Sequence, residues 1–241
     1  MAEASANTSK PGAPAAGPER VHYSLALSFL AGYVDTVGFV ALFGLFTAHV
    51  TGNFVLIGSE LVHPGHGVLI KFLAFPSFVA AVALARMTVV WRERAGKPAL
   101  TMLLLLQLVL LLGFMFAGQY AGPVPDGSAP PAILAGILGA AAMGVQNAGS
   151  RLVLAHLTPT TVMTGNVTQL VIDLVDIVRG AADEAVRARC VKFFWPVVGF
   201  GVGAIVGAAG FSYVRFWTLL VPAAILAGLY ALETRREKSG T

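Results

Sequence analysis

The tripeptide Thr-Gly-Asn occurs twice, at Thr51-Gly52-Asn53 and at Thr164-Gly165-Asn166, each time inside an otherwise apolar stretch. Glycine lets the chain turn there, and Thr or Asn supplies a side-chain oxygen that can cap a following helix. The first N–H groups of that helix then form the positive end of its dipole. Two such turns brought together would make a polar or anion-binding site. Asp35 and His49 stand just upstream of the first tripeptide and are suited to proton handling, one a carboxylate within an apolar run, the other an imidazole. Glu60 and Asp173 each follow their tripeptide asparagine by seven residues. Gln146 and Asn147 lie in an apolar run that aligns, with small gaps, on the run bearing Asp35.

These residues define the expectation. Thr51, Gly52, Asn53, Thr164, Gly165, Asn166 and Asn147 are candidate solute-binding residues, and Asp35 and His49 are candidate coupling residues. Glu60 and Asp173 are candidate vestibule acids, or acids paired with a base, for which Arg86 and Arg151 are candidates. Structural alternatives stand beside them. Asp35 would equally serve as a buried acid fixing its helix, Gln146 and Asn147 as amide contacts between helices, and both arginines as charges that orient the chain.

Other chemistries lack their residues. There is no Gly-x-x-x-x-Gly-Lys-Ser/Thr loop, so ATP-driven transport by this chain alone is not expected. No Ser/His/Asp or paired-carboxylate arrangement argues for hydrolysis, so the chain is not expected to be an enzyme. His63 and His66 share a Pro-Gly loop without a nearby carboxylate or cysteine, and the one cysteine, Cys190, permits neither a disulfide nor a Cys-rich metal site. Neither a metal nor another cofactor is expected.

The elements that must position the polar residues follow from composition. Of 241 residues, 56% are hydrophobic and 12% charged, about half the charged share of an ordinary soluble domain, roughly 25%. With a mean hydropathy of +0.77 and 27 glycines, the chain reads as a polytopic all-α membrane protein whose partner is the lipid bilayer. The net charge of +4 serves orientation in the membrane, not nucleic-acid binding. Six stretches, 22–44, 67–91, 98–118, 130–150, 191–212 and 214–233, are long enough to cross a hydrocarbon core, which takes roughly 20 residues. The stretches 47–62 and 158–178, interrupted by Thr-Gly-Asn, read instead as re-entrant half-helices. With the N-terminus inside, this arrangement puts Lys71 and Arg215 outside and the remaining basic residues inside, whereas eight full crossings would expose a basic loop on the wrong side.

The surroundings of the tripeptide repeat as well. Thr47 and Thr160 stand four residues before the motif threonine, and Lys71-Phe72 with Pro76 corresponds to Lys192-Phe193 with Pro196. The reading is of two three-span units, 21–118 and 130–233, flanked by a disordered cytoplasmic tail 1–20, an extracytoplasmic loop 119–129 and a cytoplasmic tail 234–241. An odd number of crossings per unit makes the repeat inverted. Small residues recur every four positions at Ser77, Ala81, Ala85; Gly136, Ala140, Gly144, Ala148; and Gly199, Gly203, Gly207. They suit packing between the units, a G-x-x-x-G homo-oligomer being the alternative use.

The segment Ala31-Gly32-Tyr33-Val34-Asp35, leading to Thr47-Ala48-His49-Val50-Thr51-Gly52-Asn53, together with Met163-Thr164-Gly165-Asn166, resembles the YoaK family of bacterial integral membrane proteins. The resemblance covers essentially the whole chain after residue 20 and implies a cell inner membrane location. It implies no substrate. The residues themselves favour a secondary transporter or channel-like permease for a small polar or anionic solute. The alternative is a non-transporting scaffold or sensor that binds a partner or lipid.

Overall fold

The computed structural model describes residues 18–63, 67–123 and 127–239. Residues 1–17 of the expected tail, His66, residues 124–126 of the expected 119–129 loop, and residues 240–241 lie outside the described residues.

The described residues form eight α-helices and one 3-10 turn. They are α1 Pro18–Ala41, α2 Gly52–Val62, α3 Val68–Arg94, α4 Leu100–Ala121, α5 Pro130–Leu152, α6 Met163–Val178, α7 Glu184–Val214 and α8 Leu220–Ser239, with the 3-10 turn Arg215–Leu219 between the last two. The apolar load and its all-round distribution decide their character. In α4 the run from Leu100 to Gly113 holds Thr101 and Gln107 as its only polar side chains, a pattern that suits lipid rather than water. The prolines at the start of α5 occupy the first turn, where a missing N–H costs nothing. Asp183 caps α7, accepting from the Val186 N–H at 2.8 Å.

Five helical stretches are long and apolar enough to cross a membrane: His22–Ala41, Val68–Arg94, Leu100–Ala121, Pro130–Leu152 and Glu184–Ser239. The chain is therefore a multi-pass membrane protein. The expected stretches 191–212 and 214–233 join in a single helical run of 56 residues, because the link between them tightens into a 3-10 turn instead of opening into a loop. Other boundaries also differ from expectation. Helix α1 begins within the expected tail and ends at Ala41, where Leu42, Phe43 and Gly44 turn away, Phe43 at φ 55° and Gly44 at φ 78°. Residues 234–239 continue α8 instead of forming a separate tail. The two Thr-Gly-Asn segments do not interrupt helices but start them: Thr51 precedes α2, and Thr164-Gly165-Asn166 fill the first turn of α6.

Two helix pairs carry the most extensive packing, α1 with α7 and α3 with α5. Both rest on small residues. Gly199, Gly203 and Gly207 of α7 face Leu25, Phe29 and Tyr33 of α1, so closely that a Cβ at Gly203 would collide with the Phe29 carbonyl. Gly32 of α1 lies against the Phe200 carbonyl of α7, and Gly144 of α5 lies against the Phe78 carbonyl of α3. The Ser77 hydroxyl donates to the Ile137 carbonyl at 2.7 Å. The glycine stripe of α7 is thus spent inside the molecule, against α1.

Candidate functional site

Two polar clusters form where a non-helical segment leaves a long helix and enters a short one. In the first, α1 ends, residues 42–51 cross back, and α2 begins. Asp35 Oδ1 accepts from the Ala48 N–H at 2.6 Å and from the Thr47 hydroxyl and His49 N–H at 3.4 Å, and Oδ2 lies 2.7 Å from His49 Nδ1. The Asp35 side chain is 5% exposed and that of His49 34%. The carboxylate is thus enclosed by its own loop while the imidazole reaches the edge of it, held between the rings of Phe46 and Phe200. Burying the acid at membrane depth costs at least about 2.5–3.5 kcal/mol on insertion scales, and these donors are what offset it.

In the second cluster α5 ends, residues 153–162 cross back, and α6 begins. Neutral amides hold the place of the carboxylate here. Asn147 Nδ2 donates to Thr161 Oγ1 at 2.8 Å, and Gln146 Nε2 donates to Thr160 Oγ1 at 3.0 Å and to the Leu27 carbonyl at 2.8 Å. Gln107 of α4 donates to Gln146 Oε1 at 2.8 Å. Leu27 and Asp35 are about two turns apart on α1, an axial rise of about 12 Å, so the second loop packs against the half of α1 that the first loop leaves.

The tripeptide asparagines act alike. Asn53 closes a two-bond clasp on the backbone seven residues back, accepting from the Phe46 N–H at 2.9 Å and donating to the Phe46 carbonyl at 2.8 Å. Asn166 donates to the Pro159 carbonyl at 2.7 Å, also seven residues back. Position 159 is proline and has no N–H to return, so the second clasp is single. Both asparagine side chains are buried, whereas Thr51, Thr164 and Gly165 are exposed and Gly52 is half-buried. Asn53→Ala and Asn166→Ala are each expected to cost about 1–3 kcal/mol, the penalty for orphaning buried backbone groups. A fall in the midpoint for heat-induced loss of the monodisperse peak in detergent measures it; an unchanged midpoint would show that the clasps do not hold the turns.

Glu60 of α2 and Asp173 of α6 each have a cation on the long helix that follows. Glu60 Oε1 accepts from Lys71 Nζ at 2.6 Å, and the Lys71 side chain is 1% exposed. Asp173, fully buried, accepts from Arg189 Nη2 at 2.7 Å and Nε at 3.0 Å, and from Gln169 at 2.8 Å. The expected partners are therefore corrected. Arg86 is exposed and among the described residues pairs only with Glu93, at 4.0 Å, and Arg151 is exposed at the end of α5. Both sit on the wrong face or end of their helices to meet the acids. Gln107, Lys71 as an ion-pair partner, and Arg189 are residues that sequence reasoning did not assign; the first is signalled by standing in a leucine-rich run.

Residues 23–232 match the family described as Protein of unknown function (DUF1275). The chain belongs to this family. A curated relative, the UPF0700 transmembrane protein YoaK of Bacillus subtilis (strain 168), is 31% identical over 156 residues, which cover 61% of this chain and 64% of that protein. No solved structure matches this chain. In this DUF1275 protein the matched region encloses both loop clusters and both carboxylate–cation pairs.

Proposed function

We propose that the chain is a secondary transporter or channel-like permease of the inner membrane for a small polar or anionic solute. It crosses six times, with α2 and α6 entering and returning, and both termini are cytoplasmic. The observation that carries this reading is that one set of contacts is used twice, with the asparagine and Asp35/Asn147 bonds at equal or nearly equal sequence offset. Asparagine clasps the backbone seven residues back in both loops. Asp35 and Asn147 bind the loop positions next to Thr47 and Thr160. Glu60–Lys71 and Asp173–Arg189 tie short helix to long helix, and α1–α7 packing mirrors α3–α5.

Two units of three crossings each must face opposite ways, and inverted units around short helices are the architecture of discontinuous-helix transporters. A 56-residue run would extend about 84 Å, nearly three hydrocarbon thicknesses, so the break at Arg215 supports two crossings there. Because Lys71 is buried and neutralised by Glu60, it drops out of the outer charge count, which strengthens the cytoplasmic bias of the rest.

In this reading Asn53, Asn166 and Asn147 hold the turns. The solute meets Thr51, Gly52, Thr164 and Gly165, at the membrane midplane. Asp35 and His49 form the coupling dyad, present in one unit only. Wild-type protein in liposomes loaded with a pH-sensitive dye is expected to acidify the lumen when some member of a panel of small organic and inorganic anions is added outside. Asp35→Asn, recovered folded, is expected to lose that proton movement. Folded wild type that moves neither solute nor proton across the panel would favour the scaffold or sensor reading, which the engagement of both asparagine side chains with their own loops supports.

A further inference from the structure

We propose that the cavity at the C-terminal ends of α1 and α4 is a binding site for an organic anion that has an apolar body and carries a hydrogen-bond donor. The cavity measures about 460 Å³ and is walled by Phe39, Phe43, Phe211 and Phe216, with Arg215 and Gln119 as polar groups. That volume falls within the usual range for small-molecule sites, roughly 300–1,000 Å³, which are mostly apolar with a few placed polar atoms.

Three independent observations converge on it. Arg215, exposed at the break between α7 and α8, lines the cavity and makes no ion pair among the described residues, so its guanidinium is open to an anion. Gln119 Oε1 is buried and makes no hydrogen bond, so an acceptor has been taken from water without a donor in return. Phe43 and Arg215, both at φ 55°, are the only non-glycine residues with left-handed backbone among the described residues, and both line this cavity. Such strain is costly for a bulky side chain and gathers at ligand sites, where the fold holds groups in place for a partner.

A second cavity differs in its charge balance. It lies at the N-terminal ends of α1 and α4, hence at the opposite end of the bundle, measures about 200 Å³, and is lined by Glu233 and Arg236 among others. Its arginine is paired with its acid at 3.1 Å. The larger cavity has the cation without the acid. A carboxylate ligand would supply the missing charge to Arg215 in a charge-assisted hydrogen bond, its hydroxyl or ammonium would satisfy Gln119 Oε1, and its apolar body would lie among the phenylalanines.

The inference does not rest on transport, since binding at this end is measurable without flux. Purified protein in zwitterionic nanodiscs is titrated by calorimetry with 3-phenyllactate, with 3-phenylpropionate, which lacks the hydroxyl, and with 3-phenyl-1-propanol, which lacks the carboxylate. Affinity is expected to fall in that order, with the alcohol weaker than 3-phenyllactate by about tenfold or more. Arg215→Asn keeps a residue that tolerates the left-handed backbone and is expected to weaken 3-phenyllactate by a similar factor, while Arg215→Lys restores part of it. Gln119→Leu is expected to erase the preference for the hydroxylated acid. Equal binding of all three probes, no binding at millimolar concentration, or an unchanged Arg215→Asn affinity overturns the proposal. Repeating the titration in nanodiscs containing phosphatidylglycerol tests a lipid headgroup as the source of the same chemistry. Unchanged 3-phenyllactate affinity supports a free solute, and its abolition assigns the site to lipid and overturns the solute proposal. A protein that binds but moves nothing counts against transport alone.

Discussion

Gly203→Leu is expected to abolish the folded monomer. Position 203 sits in the middle of the α7 stripe, fully buried, with the Phe29 backbone carbonyl where a Cβ would go. A flexible side chain can move aside from a new methyl group, whereas a helix backbone cannot move without separating α1 from α7 along their whole contact. Overpacking a tight core typically costs about 1–3 kcal/mol, and a clash with backbone lies beyond that range. The loss spreads to function because Asp35 and the wall of His49 both depend on this pair: α1 carries Asp35 and α7 supplies Phe200, whose ring packs on His49. Gly201→Leu is the control, since a Cβ there meets nothing within 4 Å. Size-exclusion chromatography of fluorescent fusions is expected to show an aggregated Gly203→Leu and a monodisperse Gly201→Leu. A monodisperse, heat-stable Gly203→Leu would show that α1 and α7 do not pack as described.

The second large effect concerns the buried Glu60–Lys71 pair. Glu60→Gln leaves the Lys71 ammonium 1% exposed and without its carboxylate, and breaking a buried pair from one side costs about 3–5 kcal/mol. Lys71→Met orphans the carboxylate instead, and Glu60 Oε2 is already buried without a hydrogen-bond partner. The double variant Glu60→Gln/Lys71→Met removes both charges together, and hydrophobic or neutral replacement of a whole buried pair is close to neutral. Both single variants are therefore expected to lose most of their heat resistance in detergent and the double to recover it. Additive losses in the double variant would mean that the two side chains act through other neighbours.

These cases show which parts of the molecule were legible in the sequence. The two Thr-Gly-Asn turns and the position of Asp35 stand out because polar residues in apolar runs are costly, so each one marks a place where the fold must supply partners. The partners themselves were hidden. Lys71 lies eleven residues after Glu60 and Arg189 sixteen after Asp173, beyond helical spacing and across a turn, so only the path of the loop decides that they meet. The asparagine clasps were hidden for the same reason: a bond to backbone seven residues back leaves no residue-type signature at its other end. The helix break at Arg215 was legible as a boundary between two apolar stretches, but its tight 3-10 geometry and the cavity beneath it depend on Phe43 and Gln119, far away in sequence.

In the proposed fold the two units face opposite ways, and labelling of single cysteines in intact cells tests this directly. In a Cys190→Ser background, His63→Cys and Tyr120→Cys are expected to react with a membrane-impermeant maleimide from outside. Lys97→Cys and Ala181→Cys are expected to react only after lysis. All four positions are exposed. That pattern places α2 and α6 as helices that return to the side they entered from, one on each face. Labelling of Ala181→Cys from outside, or of His63→Cys only from inside, would contradict it.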